Sequence, residues 1–198
     1  MARAPKQDPA FFRQLILKKA AEMLREQGIH GLSMRKLAQS LNASTMVLYT
    51  YFKNKQGLLN ALYLDGFDQL RQELERVEPD PDPIATIMDL GRAYRRAVLA
   101  NADVYELMMS RSLHGFSIPE ESLKQSGAGF RVLEQAVVRC QDAGFARRHD
   151  AKDVAQMLWG TIHGLISLQL AGHFIDEAAA TARFELTLAT IKDGIIKE

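Results

Sequence analysis

The chain has 198 residues, 47% of them hydrophobic and 25% charged, with a formal net charge of +1 and one cysteine, Cys140. That length suits one compact unit or two small ones, and the composition excludes a disordered tail, a collagen-like rod and a disulfide-stapled mini-protein. The near-neutral total hides an asymmetry: residues 1–60 carry ten Lys and Arg against three acids, a net +7, while the other 138 carry 15 against 21, a net −6.

A small basic head on a mildly acidic body predicts a polyanion partner for the head alone. The N-terminus lacks an apolar run long enough for a secretory signal. The most apolar stretch, 158–175, contains Thr161, His163, Gln169 and His173, so it is expected to be a buried helix rather than a membrane span. A cytoplasmic location with no membrane partner follows as an expectation, and the single cysteine permits a reducing compartment.

In chain order, the expected elements are almost all helical. Phe12, Leu15, Ile16, Lys19, Ala20, Met23 and Leu24 follow i, i+3, i+4 spacing, and Gly28 is placed to stop that helix. A short second helix is predicted over 33–41, with Ser33 as its N-cap and Leu37, Ala38 and Leu41 inward. After Asn42 and Ala43, Ser44 caps a third helix running to Tyr51. Asn54 caps a long fourth helix to about Val77. Pro79, Pro81 and Pro83 forbid helix and mark a boundary. Beyond them helices are predicted over 84–100, 104–114, 119–144, 151–174 and 176–196, with a kink or break at Gly127 to Gly129. The fold class is all-α. A helix-turn-helix head (10–55) precedes a connecting helix (56–78) and a C-terminal regulatory and dimerisation domain (79–198).

A short capped helix propped by another can present its outer face to the major groove of DNA. Leu48 and Phe52 share one face of the third helix and can pack on Leu37, Ala38 and Leu41. Thr45 with Tyr49, and Met46 with Thr50, share the opposite face. Threonine and methionine offer methyl contacts to thymine, and hydroxyls can bond base edges or phosphates. Arg35 and Lys36 start the propping helix and Lys53 and Lys55 follow the outward one, where phosphates would lie. Arg35 can also pair bidentately with guanine. The alternative on periodicity alone is a plain corner of a helical bundle.

The segment 31–62, GLSMRKLAQSLNASTMVLYTYFKNKQGLLNAL, resembles the DNA-binding head of the tetracycline-repressor (TetR) family of bacterial transcription regulators. Ser33, Arg35, Leu37-Ala38, Asn42-Ala43-Ser44, Leu48-Tyr49-Thr50-Tyr51-Phe52 and Asn54-Lys55 carry the resemblance in order and without gaps. It implies that Ser33, Tyr51 and Lys55 hold phosphates. It implies that Arg35, Thr45, Met46, Tyr49 and Thr50 face bases or the groove edge, with Val47 in either role; Lys36 and Ser44 complete the expected DNA-binding set. Where the family turn usually has glycine this chain has Asn42, which tolerates the left-handed conformation. Trp159, His163 and Gly164 resemble the Trp/His-Gly motif of one subgroup's C-terminal domains.

In the body, Ala155, Gly160, Gly164, Ala171 and Gly172 permit close helix approach. Leu158, Ile162, Leu165, Leu168, Leu170, Phe184, Leu186, Leu188, Ile191 and Ile195 supply apolar area for a four-helix interface between two copies, although the same residues could fill the chain's own core. A homodimer would match a palindromic operator. Tyr94, Met108, Met109, Phe116, Trp159 and His163 are the expected lining of a pocket for a small, mainly apolar effector, with Tyr105, Arg111 and His114 as polar additions. No phosphate-binding loop, nucleophile elbow or metal-ligand spacing occurs. No cofactor, metal or catalytic group is therefore expected. The expected function is a ligand-responsive DNA-binding regulator, a repressor; the alternatives are a helical small-molecule carrier or interaction module without DNA binding, and an enzyme on an all-α scaffold.

Overall fold

The computed structural model describes residues 8–109, 112–113, 116–145 and 149–195. The elements are α1 (Pro9–Gly31), α2 (Met34–Ser40), α3 (Thr45–Phe52), α4 (Lys55–Glu75), α5 (Pro83–Ala100), α6 (Ala102–Met109), β1 (Ser112–Leu113), β2 (Phe116–Ser117), α7 (Glu120–Ser126), α8 (Ala128–Asp142), α9 (Ala151–Leu170) and α10 (Glu177–Ile195). They group into two compact units. One holds the chain up to Gly66 together with Ala102–Gln125; the other holds Phe67–Asn101 and everything from Ser126 onward. The helix α4 thus contributes residues to both.

In the first unit, Asp8 caps α1 by accepting from the Ala10 amide at 3.0 Å, and Pro9 occupies the first turn, where its missing N–H costs nothing. Ile16, Leu17, Ala20, Met23 and Leu24 are the buried stripe of α1. Gly28 breaks the helix with φ +65, and one further turn continues to Gly31. Leu37, Leu48 and Leu58 are completely buried, each contributing roughly 2 kcal/mol of apolar transfer free energy. The helix α6 packs on α1. It also approaches α4 closely at Gly66, where a Cβ would lie 2.6 Å from Met108 Sδ. Of the helix expected over 104–114, the described part runs to Met109, and Ser110, Arg111 and His114 lie outside the described residues. Ser112 and Leu113 pair antiparallel with Ser117 and Phe116.

In the second unit, α5 is the central helix and packs on α8, α9 and α10. Its start differs by one residue from expectation: Pro83 is the first helical residue, under an Asp82 cap. The Thr86 hydroxyl accepts from the Asp80 amide at 2.9 Å and ties down the proline stretch. Ile87, Leu90, Ala93 and Val98 face Ala136, Val137 and Cys140 of α8, Leu158 and Ile166 of α9, and Phe184 and Leu188 of α10 in one apolar core. The helix expected over 119–144 is two, α7 and α8, separated at Gly127. Arg95 joins three helices: it donates to Gln169 Oε1 and Thr181 Oγ1 and lies over the Phe184 ring. No described helix is long and apolar enough to cross a membrane.

Candidate nucleic-acid interface

The corner between α2 and α3 is built by backbone bonds. The Asn42 amide donates to Gln39 O and the Ala43 amide to Ala38 O at 2.9 Å. Asn42 sits at φ +51, the left-handed region that asparagine enters at low cost. Ser44 then caps α3, accepting from the Val47 amide. Ser33 takes the N-cap position of α2 but makes no capping hydrogen bond. That is a departure from the capping role expected of it, and its hydroxyl is not committed to its own helix.

The two faces of α3 separate cleanly. Leu48 and Phe52 are buried. Met46 is 74% exposed, Tyr49 46% and Val47 36%; Thr50 is exposed and Thr45 half-buried. The Thr50 hydroxyl donates to Val47 O at 2.6 Å, which leaves its methyl and an oxygen lone pair for contacts. Tyr51 is half-buried, its ring 5.8 Å from Phe12 and 6.1 Å from Phe52, so it braces α3 against α1. Arg35 and Lys36 are exposed on the first turn of α2, with Lys36 Nζ 3.3 Å from Gln27 Oε1. Lys55 also serves the head internally, since its Nζ donates to Ile29 O at 2.8 Å. One of its three donors closes the end of α1 and the others are available to a phosphate.

Two features of the corner after α3 escaped the sequence reading. Lys53 adopts φ +61, ψ −44, and the Asn54 amide bonds back to Phe52 O at 2.6 Å, a tight three-residue turn that a non-glycine residue enters only with strain. Asn54 Oδ1 accepts from the Gly57 amide at 2.8 Å, which starts α4. A Cβ on Gly57 would lie 2.0 Å from Phe52 O, so only glycine lets α4 begin this close to the end of α3. A glycine in a first helical turn reads in sequence as a weak helix former, and nothing local announces the carbonyl it must admit.

The six residues expected to line an effector pocket do not gather in one place within either unit. Tyr94, Trp159 and His163 come together in the second unit. Trp159 Nε1 donates to Tyr94 OH at 3.1 Å, the His163 ring lies 5.6 Å from the indole, and Phe130, not anticipated, meets it edge-on at 6.4 Å. Trp159 is 39% exposed. Burial pushes the His163 imidazole below its ordinary pKa. Met108 and Met109 belong to the first unit, where Met108 is buried against Gly66. Phe116 is placed by its backbone pairing alone, and its side chain, like Arg111 and His114, lies outside the described residues. Among the described residues no group of His, Cys, Asp and Glu could hold a metal ion. Cys140 is fully buried and its thiol is pushed up, by desolvation first and by Asp82 second.

The expected dimer residues also divide. Ala155, Leu158, Ile162, Phe184 and Leu188 are buried in the chain's own core. Leu168, Leu170 and Leu186 remain exposed, and so does Met157, which was not among the expected residues. A Cβ on Gly160 or Gly164 would meet nothing within 4 Å, so α9 presents two bare glycines four residues apart.

Residues 16–62 match the family model described as bacterial regulatory proteins, tetR family, and residues 87–191 match the one described as tetracyclin repressor-like, C-terminal domain. The class A tetracycline repressor protein from transposon 1721 of Escherichia coli is 29% identical over 92% of this chain and 89% of its own length. Among solved structures, a protein of unknown function from Rhodococcus sp. RHA1 superposes with a TM-score of 0.85 at 27% identity, covering 98% of this chain and all of its own. The TetR-family regulator PfmR from Thermus thermophilus superposes at 0.71 with 20% identity, over 92% and 99% of the two chains.

Proposed function

This chain belongs to the tetR family of bacterial regulatory proteins, and we propose that it is a repressor: a cytoplasmic homodimer that grips a palindromic operator and is released by a small, mostly apolar effector. It is a transcription regulator with a DNA-binding head and a C-terminal ligand-binding domain. We read it as a binding protein rather than an enzyme.

The observation that carries the reading is the solvent-facing side of α3, with Met46, Val47, Tyr49 and Thr50 outward and no packing role in the head, between the cations Arg35 and Lys36 on one side and Lys53 and Lys55 on the other. Phosphate contacts from Ser33, Lys36, Ser44, Tyr51 and Lys55 would set register; Arg35, Thr45, Met46, Tyr49 and Thr50 would read bases, and Val47 either. The dimer reading rests on the bare glycines of α9 and the exposed Met157, Leu168 and Leu186. Two such faces related by a two-fold axis match two half-sites about one helical turn apart or a little more. The effector reading rests on Tyr94, Trp159 and His163, with Met108, Met109 and Phe116 as further candidates. The relative from transposon 1721 is itself named a repressor.

Release requires that the effector bind one arrangement of the protein better than the other; tight binding to both would shift nothing. The helix α4 has residues in both units and is the proposed carrier of that difference: effector in the body would shift it, and the separation of the two heads would no longer fit successive major grooves. The test is selection of duplexes from a randomised library. Arg35→Ala and Thr45→Ala should each change the selected sequence, with a loss of about tenfold on the original duplex. Lys36→Ala should weaken all duplexes alike. Uniform losses for all three would defeat the base-reading assignment, and failure to select any duplex would defeat the function.

A further inference from the structure

We propose that Met46 is an oxidation site through which peroxides weaken the hold of α3 on DNA. The inference rests on α3 being the groove-facing helix, and it adds a chemical input that the effector reading does not contain.

The chain has eight methionines. Met23, Met34, Met88 and Met108 are buried and Met109 is half-buried. Met46, by contrast, is 74% exposed and Met157 57%. A thioether needs no ionisation to react, so access governs which sulfur is oxidised. The one cysteine offers no competing sink, because it is fully buried. Among the described residues, solvent peroxide therefore meets two methionine sulfurs first, and one of them stands on the outer face of α3.

The chemistry is a two-electron oxygen transfer. A sulfur lone pair attacks one oxygen of hydrogen peroxide or an alkyl hydroperoxide, the O–O bond breaks, and that oxygen stays on sulfur as the sulfoxide. The other oxygen takes up the proton and leaves as water or an alcohol. Methionine is oxidised and the peroxide reduced; no further reactant is needed.

The product is wrong for the site. Reduced Met46 is a flexible apolar side chain suited to a thymine methyl. The sulfoxide is polar and accepts hydrogen bonds without donating any. Against thymine O4, guanine O6 and N7, or phosphate oxygens, it meets acceptor with acceptor, and it loses its water without gaining a partner. Met46 packs no core, whereas Leu48 and Phe52 hold α3 from the other side, so the damage falls on binding and spares the fold.

The experiment uses the full chain and a duplex selected by the untreated protein from a randomised library; failure of that selection speaks against the DNA-binding function and not against this inference. The protein is treated with hydrogen peroxide, mapped by peptide mass, and titrated with the duplex. The Met46 peptide should gain one oxygen ahead of the Met23, Met34, Met88 and Met108 peptides, and duplex added beforehand should slow that gain. Affinity should fall roughly tenfold or more, the size of one lost base contact, and return on treatment with methionine sulfoxide reductases and a thiol. Met46→Leu, titrated with a duplex selected by that variant, should show the same affinity before and after peroxide. An equal peroxide loss in Met46→Leu would overturn the inference, as would a fully oxidised Met46 with undiminished affinity.

Discussion

The head and the helical body bury apolar side chains in the same way and differ in what they leave outside. In the head, the exposed residues of α3 are a mixed set of methyl-bearing, hydroxyl-bearing and aromatic side chains bracketed by cations. In the body, the exposed large residues of α9 and α10 are Met157, Trp159, Leu168, Leu170 and Leu186, beside two glycines where a Cβ would meet nothing within 4 Å. The first surface suits a polyanion with readable edges; the second suits another apolar surface. The contrast shows why one half of the molecule was readable before its structure was known. DNA is a fixed ligand, so the residues that meet it recur at fixed spacings on a fixed corner. An effector is not fixed, and the residues that could wall its pocket are the same types, at the same helical spacing, that fill a core.

Glycine substitutions break the comparison most sharply, because they act oppositely in the two regions. Gly57→Ala in the head drives a Cβ into the Phe52 carbonyl. It should cost about 3 kcal/mol, read as a lower Tm together with loss of DNA binding. Gly164 in the body has open space around it. Gly164→Leu should leave the protomer folded, with a gain of about 0.5–1 kcal/mol from removing a helical glycine, yet shift the proposed dimer toward monomer in sedimentation at micromolar concentration. An unchanged dimer would remove α9 from the interface.

The smallest effect concerns His163. Because burial holds its pKa below the ordinary value, the unfolded chain binds a proton that the folded chain does not. Stability from this group is full above the ordinary imidazole value and is lost as pH falls below about 6.5. Wild type should therefore lose more Tm than His163→Gln between neutral pH and about pH 5. Equal losses would mean that His163 takes up its proton in the folded body as readily as in the unfolded chain.

The three-helix head was legible down to its turn: Asn42 does adopt the left-handed conformation, and Leu48 and Phe52 do face inward. Caps were legible at Ser44 and Asn54, which accept from the Val47 and Gly57 amides, while the caps at Asp8 and Asp82 were not anticipated. Ser33 shows the limit, since the right residue at the right position makes no capping bond. The strain at Lys53 and the closeness at Gly57 were illegible because both arise from the meeting of two helices, not from either one. The close approach of Met108 to Gly66 has the same origin, since it too arises where two helices meet. The break at Gly127 was legible from its glycines, whereas the short antiparallel pair after α6 was not, since Ser112 and Leu113 fall where spacing alone predicts helix.

The central claim is that cations around an outward α3 hold phosphates while its side chains enter the groove. Titration of a selected duplex over a range of salt concentrations tests it most directly. With about three phosphate contacts from each of two heads, log affinity should fall against log salt with a slope of about −5. Exchanging Lys36 for alanine should make the slope shallower by about one contact per head. A flat line, or a slope that ignores Lys36, would contradict the account.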